Sequence, residues 1–205
     1  MGEEIVDKKL TFRDLKEQEK EARKQLIINA AIRLFSQKSI SNVSIRDIAK
    51  EAGISPALIY RYFKDRDDLF VASFLRKFEE MLTQFQEELQ IAGTLNPEKI
   101  GQTFVNFLIE NDLFFRMMTH FMLDTSIKED AMNTVNNSMK QVLELFDQAF
   151  ESIGYQEQIR LHSHAFFAAL NGVLITYRHY PGRSEADVQK HIQRLASIIS
   201  KKFSS

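Results

Sequence analysis

The chain has 205 residues, 27 Lys and Arg against 28 Asp and Glu, 44% hydrophobic residues and no cysteine. That length holds one or two domains with a real core, and a normal apolar fraction at a net charge of −1 excludes disorder as the main state. Seven Gly and three Pro, roughly 5% of the chain against about 12% in average usage, argue against a turn-rich all-β protein, and zero Cys excludes a disulfide scaffold, a thiol nucleophile and thiolate metal sites.

Residues 1–22 are polar and charge-mixed and read as an arm or a helical extension. Met1–Lys9 holds no apolar h-region, so no signal peptide is expected. From Ile27 onward apolar residues recur at helical spacing: Ile27, Ala31, Leu34 and Phe35, then Ile45, Ile48, Ala49 and Ala52. Later stripes are Val135, Met139, Val142, Leu143, Phe146 and Phe150, then Val188, Ile192, Leu195 and Ile199. Breaks fall at Gly53 and Pro56, at Gly93, Pro97 and Gly101, at Gly154 and at Pro181-Gly182. No stretch alternates as a strand does, so an all-α fold is expected. The longest apolar run, Ala165–Ile175, is too short for a bilayer. A cytoplasmic protein with no membrane partner is expected.

Charge is uneven. Lys20–Arg66 carries 10 basic and 4 acidic residues, whereas Leu69 to the end carries 13 and 16. A basic N-terminal quarter on an otherwise acidic chain points to a polyanion partner at that end. Within it, residues 44–69 read SIRDIAKEAGISPALIYRYFKDRDDL. Ser44 is placed to cap a helix with Asp47 at its third position. Gly53 supplies a left-handed stop. Ser55 caps the next helix with Pro56 at its first position, where the missing N–H is harmless. That second helix is expected over about 56–63, with Ile59 and Phe63 inward and Ala57, Leu58, Tyr60, Arg61 and Tyr62 outward. Two short helices about a glycine turn make a helix-turn-helix. Arg61 has the fork that grips guanine, and Tyr60 and Tyr62 have hydroxyls suited to phosphate.

Helix, then IRDIAxEAGISxxxIYxYFKxxxxL, with Ile28–Phe35 upstream, resembles the N-terminal domain of tetracycline-repressor-type (TetR) transcriptional regulators over roughly residues 23–72. The resemblance implies a three-helix helix-turn-helix DNA-binding domain at 23–68, preceded by an arm at 1–22. A larger helical effector-binding and dimerisation domain follows at 69–205. It implies DNA contacts by Ser44 and Arg46, by Ser55, Pro56, Ala57, Tyr60, Arg61 and Tyr62, and by Lys64 in the following turn. Leu58 departs from the family, which often has threonine in mid-helix, so base readout there has no hydrogen bond to use. The implied partners are a palindromic double-stranded DNA operator, a small apolar or amphipathic effector, and a second copy of the chain.

Residues 69–121 are rich in Phe and Met, which leave adaptable gaps between helices. The expected effector pocket comprises Phe78, Phe104, Asn106, Phe107, Arg116, Met117, His120, Phe121, Asn171 and Tyr177. The last two helices, about 156–179 and 185–203, are the expected subunit interface. Ala165, Ala169 and Gly172 give one a small-residue face, and Ile192, Leu195 and Ile199 give the other its apolar stripe. The resemblance implies that these helices pair in a four-helix bundle. No histidine pair has the i, i+4 spacing of a helical zinc site, and no catalytic constellation, P-loop or dinucleotide motif occurs. No metal, cofactor or enzymatic activity is therefore expected. The competing readings are an all-helical small-molecule carrier or enzyme with an incidental basic N-terminus, and an architectural DNA-binding protein without an effector.

Overall fold

The structure, a computed structural model, describes residues 11–93, 95–124 and 127–204. Among them are nine α-helices and no strand. They are α1 (Phe12–Gln37), α2 (Ile45–Ala52), α3 (Pro56–Ile59), α4 (Arg66–Ala92), α5 (Pro97–Glu110), α6 (Asp112–Leu123), α7 (Glu129–Glu151), α8 (Ile159–Tyr177) and α9 (Glu185–Phe203), with a 3-10 turn at Ile40–Asn42. The fold is all-α. The chain divides after Ser73 into two compact units, where the sequence pattern placed a boundary after Asp68. Helix α4 begins in the first unit and ends in the second.

In the first unit, α1 starts on a capping box in which Thr11 and Asp14 satisfy each other's backbone N–H groups. The helix runs without a break past residue 22, so the described part of the expected arm, from Phe12, is its first turns. All of 12–23 is exposed. The core begins at Ile27 and gathers Ile27, Ala31, Leu34 and Phe35 with Ile45, Ile48, Ala49 and Ile59. Small Ala31 and Ala49 are fully buried where α1 and α2 pack. Phe35 meets Phe70 edge-on at 5.2 Å. Burying each large side chain contributes about 1.5–3 kcal/mol.

The second unit is held by rings. Phe104 packs edge-on against Phe146 at 5.4 Å and beside Phe167 at 5.4 Å, linking α5, α7 and α8. Phe74 stacks on Phe114 at 5.5 Å and meets Phe121 at 5.0 Å, linking α4 to α6. Pro97 does start a helix, capped by Asn96. Gly101, expected as part of the same break, instead lies inside α5, and its role is close approach. A Cβ there would lie 2.4 Å from Ser200 Oγ and 2.6 Å from Phe166 Cζ. Absence of a side chain lets α5 pack tightly against α9 and α8.

Candidate nucleic-acid interface and ligand pocket

Local chemistry builds the helix-turn-helix. The Ser44 hydroxyl accepts from the Asp47 N–H at 3.2 Å and donates to the Asp47 carboxylate at 2.6 Å, which also accepts from the Ser44 N–H at 2.9 Å. These hydrogen bonds hold the Asp47 carboxyl below its ordinary range. Gly53 takes φ +68 and donates back to the end of α2, a conformation glycine adopts without strain. Ser55 Oγ accepts from the Leu58 N–H at 3.3 Å, with Pro56 at the first helical position.

The α-helical part of the second helix is shorter than the sequence pattern implied. It ends at Ile59, and Tyr60–Tyr62 continue as turns. The N–H groups of Arg61 and Tyr62 bond three residues back, to Leu58 and Ile59. Tightening to i→i−3 bonds is a common way to finish a helix end. Tyr60 is 57% exposed. Arg46, Ser55, Pro56, Ala57, Arg61 and Lys64 are exposed too, and Tyr62 is half-buried. Among the described residues no carboxylate lies within 4 Å of the cationic groups of Arg46, Arg61 or Lys64. Their charge is thus available to an outside anion. The Ser44 hydroxyl, by contrast, is already engaged in its cap.

Arg66 has a part that the sequence reading missed. Its Nε donates to the Val43 carbonyl at 2.8 Å and its Nη2 to the Ile40 carbonyl, fixing the turn that leads into α2. A cation at a helix N-terminus is electrostatically out of place, and that was the signal. Arg33 and Glu51 pair at 2.7 Å between α1 and α2.

These features coincide with the family comparison. The model described as "Bacterial regulatory proteins, tetR family" matches residues 27–73. An uncharacterized HTH-type transcriptional regulator of Haemophilus influenzae is 27% identical over 144 residues, 68% of this chain and 67% of its own. The HTH-type transcriptional regulator AcrR of Shigella flexneri is 47% identical over 53 residues, 26% of this chain and 25% of its own. Residues 27–73 thus match the DNA-binding segment of the TetR family. Across the whole fold, the transcriptional regulator FadR of Bacillus subtilis, solved in complex with stearoyl-CoA, superimposes with a TM-score of 0.67. It is 17% identical, over 88% of this chain and 97% of that one. The relatives named here are transcriptional regulators. No helix among its described residues is long and apolar enough to cross a membrane.

In the second unit the expected pocket residues fall into two groups. Phe78, Phe104, Phe107, Met117 and Phe121 are buried. Asn171 joins them at 4% exposure, with its amide donating to the Phe167 carbonyl and its Oδ1 without a hydrogen-bond partner among the described residues. The other group lies nearer the surface. Asn106 accepts from Gln193 at 2.9 Å, Arg116 pairs with Asp112 at 2.8 Å, and His120 pairs with Asp124 at 3.4 Å. Tyr177 stacks on Tyr180 at 5.8 Å. Cavities formed by described residues include one at the α8–α9 turn and a smaller one beside Asn106.

The residues assigned to subunit contact also divide. Ala165 and Gly172 are exposed, and a Cβ on Gly172 would meet nothing within 4 Å. They share an outward row on α8 with Leu161 (60% exposed), Ala168 and Ile175. Ala169, Leu195 and Ile199 are half-buried. Ile192 points the other way. It is 1% exposed, in the row Val188, Ile192, Ala196 and Ser200 that α9 buries, and a side chain enclosed by its own unit cannot form part of a subunit contact. Ile198 of α9 is 60% exposed instead.

Proposed function

We propose that this chain is a TetR-family regulator, a homodimeric repressor bound to a palindromic operator and released by a small apolar or amphipathic effector. The observation that carries the DNA reading is the exposed, carboxylate-free trio Arg46, Arg61 and Lys64 on a rigidly capped helix-turn-helix. In this reading Arg61 reads a base, Lys64 and Arg46 meet phosphate, and Tyr60 and Tyr62 fix the register with Ser55, Pro56 and Ala57 close to the backbone. Selection of a palindrome from random-sequence DNA tests it. Arg61→Ala should weaken the selected site by about 1–3 kcal/mol and relax one base pair per half-site, whereas Lys64→Ala should weaken all sequences and lower the salt slope by about 1. Equal loss on every sequence for Arg61→Ala would make it a phosphate contact.

The dimer reading rests on the outward row Leu161, Ala165, Ala168, Gly172 and Ile175. Small residues let a second helix approach closely, and among the described residues nothing lies within 4 Å of a Cβ built at Gly172. Gly172→Glu should give monomers by analytical ultracentrifugation that lose operator binding. A dimer that survives would put the interface elsewhere.

The effector reading rests on Asn171. Side chains at i and i+4 share a helix face, so Asn171 lies beside Phe167, whose ring meets Phe104 and Phe146. An unpaired buried amide oxygen among rings costs about 1–3 kcal/mol, and a ligand hydroxyl or N–H would recover it. The stearoyl-CoA bound by the FadR of similar fold supports a ligand with a long apolar part. Helix α4, with residues in both units, is the covalent route for release. Operator binding requires two recognition elements about 34–36 Å apart or a multiple. A coupling of about 1–3 kcal/mol would shift affinity roughly 5–150-fold, and operator must weaken effector binding equally. Equal effector affinity with and without operator would rule out an inducer.

A further inference from the structure

We propose a second ligand site, distinct from the ring-lined interior, in the cavity at the α8–α9 turn, and we assign it a small amphipathic carboxylate. The cavity encloses about 470 Å³, within the usual range for small-molecule sites. Its apolar side is aliphatic, made by Ile109 of α5 and by Val188 and Ile192 of α9. Its polar side is built around two arginines in different states.

Arg178 is locked. Its Nη2 and Nε donate to Asp112 Oδ1 at 2.7 and 3.1 Å, its Nη1 donates to the Leu108 carbonyl at 3.2 Å, and its guanidinium lies 4.5 Å over the Phe115 ring. Only 14% of that side chain is exposed. Arg183 is not locked. Among the described residues it has no carboxylate within 4 Å, and its guanidinium lies over the face of Tyr180 at 4.9 Å. An arginine fork with no acid to hold is the group that recognises a carboxylate in two-point geometry.

The sign of the ligand follows from which fork is left over. Two guanidinium groups and two carboxylates line the cavity; Arg178 holds Asp112, which Arg116 also pairs from outside the lining, so Arg183 is the fork open to a ligand acid. Burial pushes the Asp112 carboxyl up, yet Arg178 and Arg116 outweigh it and hold the group below its ordinary range. That is the response of an acid in a locally positive field. A cationic ligand is disfavoured for a further reason. The ring of Tyr180 that would attract one is already engaged by Arg183 and by Tyr177. The aliphatic side then asks for a short hydrocarbon body behind the acid.

The test uses octanoate as the probe, with octan-1-ol and octylamine as neutral and cationic controls, titrated calorimetrically into the full chain. Octanoate should bind at least about tenfold tighter than octan-1-ol, as expected when one charge-assisted contact is added. Arg183→Glu should remove about that factor for octanoate and leave octan-1-ol unchanged, and Arg183→Lys should retain part of it. Arg183 is exposed in a turn, and circular dichroism checks that each variant keeps its helices. Asn171→Leu separates this site from the interior one, and octanoate affinity should survive it. Octanoate no tighter than octan-1-ol, or unaffected by Arg183→Glu, overturns the proposal. So does loss of octanoate binding in Asn171→Leu alone, which would put the acid in the interior.

Discussion

The helices of the first unit start on side-chain caps, whereas several of the second have none. Thr11, Ser44 and Ser55 each accept a backbone N–H at the head of α1, α2 and α3. Asn111, Lys128 and Gln158 give α6, α7 and α8 no such bond. What the second unit has instead is a mesh of phenylalanines that links α4 to α8. A cap is a bargain between residues three apart, so it travels with the local sequence. A ring contact such as Phe104 with Phe146 joins residues far apart and leaves no short signature. The family model's match, residues 27–73, lies within the first unit. The difference implies that the second unit can change its lining while keeping its helices.

Four substitutions probe that contrast, read by native-state hydrogen exchange so that each unit reports separately. Phe146→Ala empties the centre of the mesh and should cost about 3–5 kcal/mol in the amides of α7 and α8. Gly101→Ala should cost about 1–3 kcal/mol through the close α5–α9 contact. Ser44→Ala should cost about 1 kcal/mol, seen in α2. If removing the cap cost more than removing the ring, the contrast between the units would be wrong.

The smallest effect is an acid one. Asp47 is held below its ordinary pKa in the folded chain, so it binds fewer protons folded than unfolded at mildly acid pH. Its contribution is present above the unfolded value and is lost as pH falls through the folded one. Asp47→Asn should flatten that part of the acid limb of α2 stability. An unchanged limb would show that the capping box does not depend on charge.

The same contrast decides what the sequence could reveal. Ser44 with Asp47, Gly53, and Ser55 with Pro56 each announce their geometry in a few letters, and the helix-turn-helix followed from them. The length of α3 did not, because nothing in Tyr60-Arg61-Tyr62 says whether the next bond spans three residues or four. Gly101 was read as a break because glycine looks the same whether it bends a chain or admits a neighbour. Ile192 was assigned to the subunit contact because it shares one apolar stripe with Leu195 and Ile199, and only packing within its own unit shows that it is buried. The candidate ligand residues are legible by type alone. Asn171 is an amide in an apolar run, but its unpaired oxygen is a fact of three dimensions. Arg183 was passed over because Pro181-Gly182 beside it reads only as a turn.

The hold of Arg66 on the carbonyls of Ile40 and Val43 bears on how such regulators can be recombined. A chimaera that borrowed this helix-turn-helix and was spliced just after Phe63 would leave position 66 to the recipient. The turn before α2 would then lose both of its guanidinium bonds, although every residue facing DNA had been transplanted. A seam placed after Ser73 carries the arginine along with the carbonyls it grips. In modular terms, the transferable part is longer than the part that reads DNA, and its last indispensable residue sits on the helix usually counted as the beginning of the next module.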